Sequence, residues 1–134
     1  AKDLLNAQTG LVIGHGAHHL QTVELHRGRW IIHNIGNFMF NAPGRYRERR
    51  SHAMSLAVCL DLRLGKEAAA AELYCYPLFS DNLRTGYRSR PVSGAEFTAA
   101  WDLIRNRCPD PLGFARSVEI GRDGIGSFLK MKAR

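Results

Sequence analysis

Residues 51–64, SHAMSLAVCLDLRL, alternate between apolar and small or polar side chains along their whole length. A period of two sustained this far is a long β-strand, and a long strand needs a partner. Met54, Leu56, Val58, Leu60 and Leu62 fall on one face; Ala53, Ser55, Ala57, Cys59 and Asp61 fall on the other. After a break at Gly65 and Lys66, the run AAAAELYCYPLF supplies that partner despite its alanines. Leu73, Cys75 and Pro77 alternate there with Tyr74, Tyr76 and Leu78, and Pro77 excludes the interior of a helix. The chain is therefore committed to a β ribbon at its centre, on which the other elements must pack.

Upstream, LVI at residues 11–13 is a short buried strand, and TVELHRGRWIIH is a hairpin. Val23 and Leu25 alternate with Thr22, Glu24 and His26, Gly28 makes the turn, and Trp30 to Ile32 return. NIGNFMFN, punctuated by Gly36 and closed by Asn41 and Pro43, reads as a strand end bending into a loop, and GRYRERR at 44–50 reads as an exposed loop. One helix is well specified. Ser93 and Glu96 form a capping box, Phe97, Ala100, Trp101 and Ile104 mark an apolar stripe, and the helix, about 94–107, stops before Pro109 with Arg105 and Arg107 in its last turn. The tail, SVEIGRDGIGSFLKMKAR, is a closing hairpin turning through Asp123 and Gly124. This order predicts an α/β class, a strand-rich mixed sheet with the helix on one face, in a single domain over 1–134.

With 45% hydrophobic residues the chain can bury a core of its own, yet no run approaches the roughly 20 apolar residues of a membrane-spanning helix. The start, AKDLLNAQTG, has no charged-then-apolar signal pattern. Leu4, Leu5 and Ala7 read instead as the last turns of a helix stopped by Gly10, so the expectation is the C-terminal portion of a longer protein. Cys59, Cys75 and Cys108 share no metal-binding spacing and are expected to be buried small hydrophobes. The net charge of +7 points to an anionic partner or simply to a basic surface.

IGHGAHHLQ, residues 13–21, carries three histidines behind two glycines at the end of the first strand. Gly14 and Gly16 free the backbone around His15, so His15 and His18 can turn toward one point while His19 faces elsewhere. Spacing alone leaves two readings open, a metal-ligand pair or loop histidines bonded to backbone, because a tetrahedral site needs about four ligands.

The longer run VIGHGAHHLQTVELHRGRWIIHNIGNFMF resembles the C-terminal signature of the CapA family, poly-γ-glutamate and capsule biosynthesis proteins of calcineurin-like metallophosphoesterase fold. Family members look like "VIGH-x-PH-x-LQ" followed by "E-x-x-x-GK-x-I-x-YSLGNF-x-F". Matches fall at Val12 to His15, His18, Leu20, Gln21, Glu24, Gly28, Ile32, Gly36 to Phe38 and Phe40; departures fall at Ala17, Arg29 and His33 to Ile35. From Asn41 onward the likeness is looser, through YPLFSDN and RPVSGAEF. The resemblance implies a metallophosphoesterase-like β-sandwich flanked by helices, in a bacterial protein. It also implies a divalent metal (Mn, Zn, Fe or Mg) held by His15 and His18, with Asn37 as a catalytic residue positioning substrate and Gln21 orienting an imidazole. Glu24 reads better as a surface strand residue, and His33 as hydrogen-bonded within the sheet. The family's other ligands precede the region matched here, so the parent protein is expected to be a metal-dependent hydrolase or synthesis factor and this chain alone inactive.

Poly-γ-glutamate is a polyanion, and Arg45, Arg47, Arg49 and Arg50 with Arg84, Arg88 and Arg90 are candidates to line its path; a phosphoester is the other anionic candidate. A solvated arginine loop is the competing reading. Two alternatives belong to other classes: a non-catalytic metal- or polyanion-binding module, and a basic nucleic-acid-binding domain. Only Tyr46 and Tyr87 interleave the arginines, and no nucleic-acid-binding motif is present.

Overall fold

The structure, a computed structural model, describes residues 10–41, 46, 50–64 and 69–133. Its first unit is a three-stranded sheet of β1 (Leu11–Ile13), β2 (Val23–His26) and β3 (Arg29–Ile32) in the order β1-β3-β2. β2 and β3 form the expected hairpin, and both turn residues are left-handed, Arg27 at φ 50° and Gly28 at φ 76°. That is the geometry a two-residue hairpin turn needs to match strand twist. β1 runs parallel to β3, with Leu11, Val12 and Ile13 opposite Trp30, Ile31 and Ile32.

The second unit is built on the predicted ribbon. β4 (Met54–Leu64) and β5 (Ala69–Phe79) pair antiparallel from Met54 opposite Phe79 to Leu64 opposite Ala69. After a single helical turn, α1 (Asn82–Thr85), the two-residue β6 (Arg90–Pro91) joins the β5 edge. The closing hairpin of β7 (Val118–Arg122) and β8 (Ser127–Ala133) completes the path β4-β5-β8-β7. The class is α/β and strand-rich as expected, with parallel pairing confined to the small sheet.

Pro77 sits inside β5 without breaking its ladder with β4. Its partner Leu56 sends its own N–H away from β5, to the Ile35 carbonyl at 2.8 Å, so this is a non-hydrogen-bonded pair. The N–H that proline lacks would face the other side, where pairing with β8 has ended at Cys75 and the Pro77 carbonyl still accepts from the Val92 N–H at 3.2 Å, just past the end of β6.

α2 (Gly94–Arg107) carries the predicted capping box: the Ser93 N–H donates to the Glu96 carboxylate at 2.7 Å. Its buried residues are Phe97, Ala100 and Ile104. α3 (Pro111–Ser117) follows, unforeseen in the sequence, with Asp110 accepting from the Gly113 N–H and proline in the first turn. Phe114 of α3 stacks on Trp101 at 5.6 Å and meets the edge of Trp30 at 5.8 Å. Trp30 is 1% exposed and donates from Nε1 to the Lys132 carbonyl of β8 at 3.0 Å. Val23, Trp30 and Ile32 of the small sheet thus share one core with Leu56, Leu73, Leu129 and Met131 of the large sheet and with Phe97, Ile104 and Phe114 of the helices.

One expectation is corrected, the burial of Cys59, and the apolar face of β4 is buried only in part. Leu60 and Leu62, on the apolar face of β4, are exposed at 39% and 57%, because the far end of the ribbon runs past the helices and small sheet that cover Leu56. Cys59 is exposed on the opposite face of β4, whereas Cys75 and Cys108 are buried, and burial pushes both of those thiols up to about 12.

Glu96 also takes a bidentate pair of bonds from Arg90, both 2.7 Å, which with the Ser93 N–H hold its carboxyl down at about 2, against an ordinary 4.5. The unfolded chain therefore takes up this proton more readily. The stabilisation is complete above about pH 4.5 and is lost as pH falls toward 2. Glu96→Gln is expected to lower the urea midpoint at pH 7 and to lie much closer to the parent chain at pH 3; equal differences at both pH values would contradict this.

Candidate functional site

Because β1 and β3 are parallel, both strands end at the same edge, and the segments leaving them run side by side. The Gly14 N–H donates to the Ile32 carbonyl at 2.7 Å, and its carbonyl accepts from Ile35 at 3.1 Å. A Cβ on Gly14 would lie 2.0 Å from the His33 carbonyl oxygen, so no other residue allows this approach. A bridge between Leu20 and Ile35 closes the far end, with the Gln21 N–H donating to Asn34 at 3.1 Å. The second segment is bent by Gly36 at φ 78°, whose N–H is held by the buried Asn34 Oδ1 at 2.9 Å. Its end is tied to α1 by Asn82, which donates to the Phe40 carbonyl.

Between these segments the structure brings His18 and Asn37 together. His18 Nδ1 lies 3.0 Å from Asn37 Oδ1, and the His18 ring sits 4.8 Å from that of Phe40. An amide oxygen only accepts, so Nδ1 is the donor in this bond, and the tautomer that makes it carries its lone pair on Nε2. His18 adopts φ 63°, a left-handed conformation that costs a non-glycine residue about 1 kcal/mol.

The other predicted residues are placed as follows. His15 is exposed on the same loop as His18. The His18 ring is bonded to Asn37, and Gln21 lines a different cleft. Arg45, Arg47 and Arg49 lie outside the described residues, and Arg50 is exposed. Arg90 is occupied by Glu96 and, with Arg84, packs over the Phe79 ring. Among the described residues no group of three or more His, Cys, Asp or Glu side chains is arranged to hold a metal. The donor set fits part of a metal site: one imidazole with an oriented lone pair and a second exposed on the same loop.

The cleft that Gln21 lines, about 640 Å³, was not foreseen. The small sheet turns Val23, Trp30 and Ile32 into the core, so Thr22, Glu24 and His33 share its other face. Glu24, expected on the surface, is 6% exposed, and its Oε1 lies 3.4 Å from His33 Nε2. Alternation placed Glu24 opposite the core; only the cover of this second face, which no local pattern encodes, buries it. Arg107 reaches the same cleft and donates from Nη1 to the Leu20 carbonyl at 3.0 Å.

A family model described as bacterial capsule synthesis protein PGA_cap matches residues 1–42. The match contains His15, His18, Gln21 and Asn37 and ends before β4. No curated protein matches the chain.

Gly14→Ala tests the convergence. Steric overlap with the His33 carbonyl is expected to cost about 1–3 kcal/mol in urea unfolding and to remove the His18–Asn37 bond, seen as a shifted His18 imidazole NMR signal. An unperturbed His18 signal in a folded variant would contradict the assignment of Gly14 as the residue that sets this spacing.

Proposed function

We propose that this chain is part of a bacterial capsule-synthesis protein of metallophosphoesterase-like fold, and that His15 and His18 supply two ligands of a divalent-metal site. The observation that carries the reading is the His18–Asn37 bond, which lies within the matched residues and fixes the tautomer a metal ligand needs. Asn37 retains its Nδ2 N–H donors for a substrate oxyanion. What a divalent ion of the Mn, Zn, Fe or Mg class supplies when bound is Lewis acidity toward a phosphoester.

Two imidazoles fall short of the three or four protein ligands of a metal centre. In this reading the remaining ligands come from protein sequence upstream of the match, and the 134-residue chain alone hydrolyses no phosphoester. The non-catalytic alternative, a metal-binding module of the same fold, differs in one respect: metal is bound by the complete polypeptide without turnover.

In the natural polypeptide with its upstream sequence, elemental analysis is expected to find bound divalent metal that the His15→Ala, His18→Ala double variant loses. Asn37→Leu is expected to weaken metal affinity by about tenfold or more. Full metal occupancy in the double variant would overturn the ligand assignment. Turnover of bis(4-nitrophenyl) phosphate by the 134-residue chain alone would overturn the shared site.

A further inference from the structure

The geometry points to a second binding site, separate from the His18–Asn37 pair: the cleft on the outer face of the small sheet takes an oxyanion, a carboxylate or phosphoryl group, through Arg50, Arg107 and His19. The cleft opens between the Leu20–Thr22 segment, β2 and the end of α2, and Arg50 and Ser51 form another part of its wall. Among the described residues its lining carries two guanidinium groups and two imidazoles against one carboxylate, Glu24. That carboxylate is 6% exposed and faces His33 at 3.4 Å, so it offers a ligand little surface and does not select a cation.

The donors are held ready. Arg107 spends an Nη1 donor on the Leu20 carbonyl at 3.0 Å, which orients its guanidinium plane and leaves its remaining N–H groups for a ligand. His19 Nδ1 is buried and has no hydrogen-bond partner among the described residues. His19 also lines the cleft, and with Nδ1 buried its other ring nitrogen, Nε2, is the one left for a ligand. Together with the Thr22 and Ser51 hydroxyls, this is a donor-rich concavity wide enough for a small anion.

The test is isothermal titration of the 134-residue chain at fixed ionic strength, with inorganic phosphate in one arm and succinate in the other. Saturable binding of either is expected, and the arm that binds more tightly identifies the source of the oxyanion. Arg50→Gln, at an exposed position, is expected to weaken binding about tenfold while leaving the thermal midpoint in place. Arg107→Gln should do the same, and Arg50→Gln keeps the test decisive if loss of the Leu20 contact unfolds the chain. EDTA and His18→Ala are expected to leave binding unchanged, which separates this site from the proposed metal site. Absence of saturation by both anions up to tens of millimolar would overturn the proposal, as would binding that survives Arg50→Gln or is abolished by EDTA or His18→Ala.

Discussion

The candidate site depends on how closely two pieces of backbone pass each other at Gly14. β1 pairs over only three residues, too little to hold a strand on its own, yet it must run parallel to β3 for the two loops to leave from one edge. Gly14 extends that pairing by donating to Ile32 and accepting from Ile35, which is possible only because no side chain stands between it and the His33 carbonyl. β3 is in turn immobilised by Trp30, sealed in the core and bonded to the backbone of β8. The position of His18 against Asn37 therefore follows from packing that begins on the opposite side of the small sheet.

The small sheet does two jobs because its faces differ: one is apolar, and the other sets Thr22, Glu24 and His33 beside the buried Ile31. One face presents Val23, Trp30 and Ile32 to the helices and large sheet; burial of such side chains contributes on the order of 1.5–3 kcal/mol each and fixes the register. A slip of one residue would drive Glu24 and His33 into that core, at a desolvation penalty of several kcal/mol. The polar face is thus as strongly specified as the apolar one. Having been specified, it places Glu24 against His33 and leaves the flanking Arg107 and His19 around an open cleft.

How much of this could be read from the sequence depends on the range of the interaction. The hairpin through Gly28, the β4–β5 ribbon, the capping box at Ser93 and the closing turn near Asp123 are encoded within a few residues of themselves, and each appears where local pattern places it. α3 carried local signals too, Asp110 and Pro111, but sits directly after the stop at Pro109, where a break masks a restart. Burial was harder. Leu60 and Leu62 look like core by alternation and are exposed, while Glu24 looks like surface and is buried, because the cover of each face comes from segments distant in the chain. The same limit explains Gln21 and Asn37. Both are amides near the histidines, and only the crossing of two loops decides that Asn37, nineteen positions away, is the one bonded to His18.

His18 brings these strands of argument together. A left-handed φ at a non-glycine residue costs about 1 kcal/mol, and one exposed hydrogen bond to Asn37 returns roughly 0.5–1.5 kcal/mol, so the conformation is close to neutral for folding. A glycine at the same position would relieve the strain, and nothing in the core requires an imidazole there. Backbone strain held at an exposed, hydrogen-bond-oriented histidine is a pattern characteristic of sites that bind. The proposed ligand role of His18 thus draws its support from the bond that orients one ring nitrogen and offsets the strain, more than from the number of histidines in the loop.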